Sequence, residues 1–113
     1  MSDKKVLVFG FSDNPERYSN KAFHLLKEYH HDVVAFNPRS DNPMDLPRQF
    51  ETITFYVSLT IQEKFEELIL SLDFRRAIFN PGAENPVLEK KLRERGVDVV
   101  IGCTLVMLKT NQF

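Results

Sequence analysis

The residues with chemical potential in this chain cluster at the ends of apolar runs. Gly10, Ser12, Asn14 and Arg17 follow Val6-Leu7-Val8-Phe9, and Asn37, Pro38 and Arg39 follow Val33–Phe36. Ser58 and Leu59 follow Ile53–Val57, Asn80-Pro81-Gly82-Ala83 closes Ala77–Phe79, and Gly102-Cys103 follows Val97–Ile101. Glycine lets a backbone turn sharply or lie against a ligand. A polar loop running into a helix presents unpaired N–H groups, which suit an anion. Arg17 and Arg39 add guanidinium groups that grip phosphate through paired hydrogen bonds. The chemistry these types support is recognition of a phosphate-bearing ligand. Taken alone, the first loop is explained as well by an ordinary strand-to-helix turn.

Other chemistries find less support. Glu63, Glu66 and Glu67 lie in the first half of a helix, where acids favour the dipole, and read as a solvated face rather than a paired-carboxylate site. His24 is expected at the surface. His30 and His31 are adjacent and lack Cys or acid partners, so no metal site is expected. The Walker lysine and the acid cluster of a phosphorelay receiver are both missing. The loop Gly10-Phe11-Ser12-Asp13-Asn14-Pro15 lacks the second and third glycines of the dinucleotide fingerprint, and the second strand ends in Asn37 instead of an acid. Arg39, just beyond, favours a nucleotide with an extra phosphate on its ribose.

These loops need strands and helices to hold them. The continuous apolar runs read as strands buried on both faces, over residues 5–10, 32–37, 53–57, 75–80 and 97–101. Three main helices alternate with them. The first spans about Ser19–Tyr29, with Ala22, Phe23, Leu26 and Tyr29 as its core stripe; Ser19 is the preferred N-cap and Asn14-Pro15 the competing one. The second is capped by a Thr60–Glu63 box and carries Ile61, Phe65, Leu68, Ile69 and Leu72 at helical spacing. The third starts at Asn85-Pro86 and stops at Gly96. His30 ends the first helix where glycine is usual, and histidine enters the left-handed region more readily than most residues. Residues 40–49, with Pro43 and Pro47, form an irregular connection that Met44 and Leu46 tuck against the sheet. Strand–helix alternation implies an open parallel α/β sheet with helices on both faces. The expected order is 3-2-1-4-5, with strand one central; 2-1-3-4-5 is the other order the sequence allows. Either way, ligands belong at the carboxyl ends of the strands.

At 113 residues the chain is expected to form one domain, which buries roughly 65% of its unfolded surface. The formal net charge of −1 gives no basic stripe, so nucleic acid is not an expected partner. A single cysteine rules out an intrachain disulfide framework, and no apolar run approaches the ~18 residues of a membrane span. A soluble, cytoplasmic protein is expected. A homodimer is compatible with so small a domain.

Gly10-x-Ser12 with Pro15-x-Arg17-Tyr18-Ser19, Val34-x-Phe36-Asn37-Pro38-Arg39, Asn80-Pro81-Gly82-Ala83-Glu84 and Cys103 after the last strand, in this order, resemble the small stand-alone CoA-binding domain family. The set is also similar in outline to the CoA-binding domain of succinyl-CoA synthetase. The resemblance implies a Rossmann-like fold with coenzyme A along the carboxyl edge. It implies Gly10, Ser12 and Arg17 at the pyrophosphate, flanked by Phe11, Asn14 and Tyr18. Asn37, Pro38 and Arg39 fall at the adenosine end, and Ser58, Leu59, Pro81, Gly82 and Ala83 form the remaining rim, with Cys103 beside it. Phe11 stands where the family usually has Ala, His30-His31 replaces the usual Gly, and the segment after Arg39 is richer in Pro. The catalytic His of succinyl-CoA synthetase comes from a separate domain, so activity does not transfer with the fold. No nucleophile–base pair is visible. The expectation is a non-catalytic CoA or acyl-CoA binder. The alternatives are a small interaction protein that has lost its ligand and, less well supported, an NAD(P)-dependent oxidoreductase.

Overall fold

The computed structural model describes residues 5–113. Five strands, β1 (Lys5–Phe9), β2 (Asp32–Phe36), β3 (Gln49–Phe55), β4 (Asp73–Phe79) and β5 (Asp98–Ile101), make one sheet, parallel at every pairing. Its order is β2-β1-β3-β4-β5. The expected order 3-2-1-4-5 is thus corrected to the alternative, and β3, not β1, is central. Burial explains the placement. Residues 52–55 of β3 are inaccessible to solvent, whereas β2 is only half-buried through its middle, as suits an edge. From sequence both strands are simply apolar runs.

The helices divide between the faces. α1 (Tyr18–Glu28) and α5 (Thr104–Lys109) pack together on one side, over Val6 and Val8. α2 (Leu59–Lys64), α3 (Glu66–Ser71) and α4 (Pro86–Glu94) cover the other, where Leu7, Phe9, Ile53, Phe55, Ala77 and Phe79 meet Ile69, Leu88 and Leu92. Among the described residues no helix is long and apolar enough to cross a membrane.

Four neighbouring strands end in phenylalanine, and the register puts those residues in one row: Phe36, Phe9, Phe55, Phe79. Phe55 and Phe79 stack at 4.7 Å between centroids, and Phe9 tilts against Phe36 (5.2 Å) and Phe55 (5.7 Å). Aromatic pairs at these separations contribute beyond their buried area. The row is a buried aromatic floor under the carboxyl-end loops.

Several local expectations change. Arg17 is the N-cap of α1 and supplies no side-chain bond, and Ser19 is buried inside the first turn. Asn14 builds the preceding turn, accepting Glu16 N–H on its side chain (3.0 Å) and Arg17 N–H on its carbonyl (3.0 Å). Ser58, not Thr60, caps α2, because β3 ends three residues earlier. The expected single second helix breaks at Phe65, whose ring turns edge-on to Phe9 and Phe36. Leu46 enters the core but Met44 is 86% exposed. His30 does adopt φ 69° at the end of α1, and Asn85 does cap α4, accepting Leu88 N–H at 3.1 Å.

Candidate functional site

In a sheet ordered 2-1-3-4-5, the chain leaves β1 towards one face and β3 towards the other. The crevice between these departures is where open α/β sheets take ligands. A cleft of about 710 Å³ occupies it. Gly10, Phe11 and Ser12 form one wall with Glu16–Ser19; Asn37, Pro38 and Arg39 form the second; Tyr56, Val57, Ser58, Ile61 and Pro81 form the third.

The first wall follows from Gly10. Its φ of +107° suits a residue without a side chain, and a Cβ there would lie 2.6 Å from Val57 Cγ1. The Gly10 and Phe11 N–H groups both donate to the Phe36 carbonyl (2.8 and 3.0 Å), which clamps the loop to β2. Their amides are therefore spent. The donors that face an anion are instead those opening α1: with no side-chain cap on Arg17, the first-turn N–H groups from Tyr18 onward lack intrahelical partners. Asn20 secures the loop from beneath, donating from Nδ2 to the Ser12 carbonyl at 2.9 Å. The Ser12 hydroxyl accepts Asn14 N–H at 3.1 Å, leaving its own proton available to donate. The Phe11 ring leans on Phe23, with centroids 5.0 Å apart.

The second wall is a tight polar turn. The Asn37 side chain accepts Arg39 N–H at 2.9 Å, and the Asp41 carboxylate accepts Asn37 N–H at 2.8 Å. Arg39 is exposed, with its backbone held.

Behind the third wall lies a buried polar cluster. Asn80 donates from Nδ2 to Thr54 Oγ1 (2.7 Å) and the Phe55 carbonyl (2.8 Å), and its Oδ1 accepts Thr104 N–H (2.9 Å). The Thr54 and Thr104 hydroxyls pair with each other at 2.7 Å. The neighbouring Tyr56 hydroxyl is buried and makes no hydrogen bond of normal geometry. Burial pushes its pKa up to about 12; the Thr104 hydroxyl pulls it down, the Cys103 charge raises it, and Thr54 lowers it.

Five expected site residues do not line the cleft. Asn14 and Leu59 are exposed, and so is Gly82, which donates its N–H to Glu84 Oε1 at 3.0 Å. Ala83 is packed into the core. Cys103 is half-buried at the start of α5, two residues beyond β5. The cleft also takes in Glu16, Ser19, Tyr56, Val57 and Ile61, which sequence reasoning missed. Tyr56 and Val57 end the apolar run that was read as the third strand and lie just past β3, so their position carried a signal. Glu16 reaches the cleft from the turn before α1, and Ser19 and Ile61 from the first turns of α1 and α2. Among the described residues no group of three or more His, Cys, Asp or Glu side chains gathers as a metal would require.

A doubly wound parallel sheet with a cleft at its switch point, the place where such sheets take ligands, defines a Rossmann-like fold. The chain belongs to the CoA-binding domain family, which matches residues 4–109. A crystal structure of an uncharacterized protein shares 36% identity over 97% of this chain and 98% of its own, with a TM-score of 0.87. At 22% identity, a Thermus thermophilus protein solved as cell-free ID.343 (TM-score 0.84, 98% of this chain and 91% of its own) and a hypothetical protein from Pyrococcus horikoshii OT3 (TM-score 0.82, 96% and 83%) share the fold. No curated protein matches the chain.

Proposed function

We propose that this protein binds coenzyme A, or an acyl derivative of it, in the cleft at the carboxyl edge of β1, β2 and β3, and carries out no reaction on it. The observation that carries this reading is that two arginines, Arg17 and Arg39, line one cleft from different walls in a chain of the CoA-binding family. The pyrophosphate lies at the start of α1, where Arg17, the Ser12 hydroxyl and the open first-turn N–H groups supply donors and the helix dipole favours negative charge. Arg39 holds the 3′-phosphate, the place where a Rossmann site addresses the adenosine ribose. The pantetheine arm runs along Tyr56, Val57, Ile61 and Pro81, the less polar wall. The Phe11 ring, bulkier than the family's usual Ala, leans on Phe23, which supports retained binding. The same reading has residues 1–113 acting as one domain.

Calorimetric titration tests it. Arg39→Ala weakens CoA by about 1.5–3 kcal/mol, the range for a charged hydrogen bond, and leaves dephospho-CoA nearly unaffected. Arg17→Ala weakens both ligands alike. Equal losses for the two ligands in Arg39→Ala remove Arg39 from the 3′-phosphate; a wild-type protein that binds neither ligand overturns the function.

A further inference from the structure

Gln62 is fully buried on α2, one residue from Ile61 of the cleft wall. Its Nε2 donates to two carbonyls from different loops, Val57 at 2.9 Å and Ala83 at 2.6 Å. Its Oε1 accepts Asn85 Nδ2 at 2.9 Å, while Asn85 Oδ1 accepts Leu88 N–H at 3.1 Å. Carbonyls cannot donate, so only one orientation of each amide satisfies the chain. Val57 belongs to the cleft, and Ala83 lies two residues beyond Pro81, which also belongs to it. The other end of that turn is held by a second buried amide. Asn80 fastens it to Thr54 and Phe55, and its carbonyl accepts Ala83 N–H at 2.8 Å.

We propose that Gln62 is a positioning residue for the proposed ligand's pantetheine arm: with Asn85 it fixes the separation between the Val57 and Pro81 sides of the cleft, so the apolar wall exists before the ligand arrives. The inference rests on the CoA reading above. Pre-set walls spare the ligand the cost of ordering two loops. The hydrogen bonds of the Gln62 side chain go to Val57, Ala83 and Asn85 and to neither the Arg17 wall nor the Arg39 wall, so its effect falls at one end of the ligand. Glutamate cannot replace it, because a carboxylate has no pair of protons for two carbonyls.

The test titrates wild type, Gln62→Met, Asn85→Asp and Ile69→Val with CoA and with adenosine 3′,5′-bisphosphate, which lacks pantetheine. Asn85→Asp keeps the acceptor that caps α4 and replaces the donor to Gln62 with a second acceptor that opposes Gln62 Oε1, so it breaks the same link and remains informative if Gln62→Met does not fold. Ile69→Val destabilises the core away from the cleft and controls for a purely structural effect. The expected result is about a tenfold loss of CoA affinity in Gln62→Met and Asn85→Asp, with unchanged affinity for the bisphosphate. Ile69→Val leaves both affinities unchanged. Faster deuterium exchange at the Ala83 amide of the free variants accompanies the loss. Unchanged CoA affinity, or equal losses for both ligands, overturns the positioning role alone. Wild-type protein that ignores CoA overturns the functional reading and this inference with it.

Discussion

Gly10 and Tyr56 lie side by side just past the paired ends of β1 and β3, and each has a measurable consequence. Any side chain at Gly10 meets two obstacles: a φ of +107°, and a Cβ position 2.6 Å from Val57 Cγ1 and 3.1 Å from the Tyr56 carbonyl carbon. Gly10→Ala is expected to cost about 1–3 kcal/mol, read as a lower urea midpoint, and to weaken CoA because Val57 lines the cleft. An unchanged midpoint would contradict the strain. Tyr56 carries a buried hydroxyl that makes no hydrogen bond of normal geometry, close to the Thr54 and Thr104 hydroxyls, which pair with each other. Its folded pKa of about 12 exceeds the ordinary 10.0, so the folded state holds the proton more tightly. The associated stability is complete below pH 10 and disappears as pH rises from there through about 12. Tyr56→Phe is therefore expected to leave stability at pH 7 nearly unchanged and to flatten the alkaline loss; denaturation curves at pH 7 and pH 11 check both. An undiminished alkaline loss in Tyr56→Phe would assign it to other groups.

At the scale of elements, termini defined by neighbouring residues were readable in the chain and termini defined by packing were not. Asn85-Pro86 caps α4 as expected because the cap is a contact between residues three apart. Ser58 and Thr60 are both residue types that cap helices; the end of β3 selects Ser58, and the helix so started turns Gln62 inward to reach Val57 and Ala83. The apolar spacing across residues 61–72 survives the break at Phe65, which explains why it read as one helix. Asn85→Ala removes a helix cap and leaves the buried Gln62 oxygen unpaired. The expected cost is about 2–3 kcal/mol, above the ~1 kcal/mol of an exposed cap. Equilibrium unfolding measures it, and a loss no larger than that of a simple cap would show that the Gln62–Asn85 bond adds nothing.

For the molecule as a whole, ligand binding and stability are linked. CoA at 100 times its dissociation constant is expected to add ~2.7 kcal/mol. In a domain of this size that raises the melting temperature by something on the order of 10 °C. At equal concentration dephospho-CoA shifts it less, for want of the 3′-phosphate, and NAD shifts it least, since Asn37 stands where an acid would meet its ribose. NADP, with a phosphate on the ribose but no pantetheine, falls below CoA. A thermal-shift panel decides this, and an NAD shift equal to that of CoA would overturn the ligand assignment.

Local chemistry determined the five apolar strands, the α4 cap, the left-handed His30 and the polar loops at the strand ends, because each depends on residues adjacent in the chain. Ten of the residues named from those loops, from Gly10 through Pro81, line the cleft. The tertiary structure alone decided that β3 lies between β1 and β4, since the apolar runs of β2 and β3 look alike until one is buried at the centre and the other left at an edge. It also decided that Tyr56 and Ile61 enter the cleft while Cys103 stays outside its lining, and that three buried amides, Asn80, Gln62 and Asn85, brace its wall. Those amides are ordinary polar residues in the sequence. Apart from Val57 and Leu88, their side-chain partners lie 20 or more positions away, and a buried amide declares its role only when the groups it must satisfy are brought beside it.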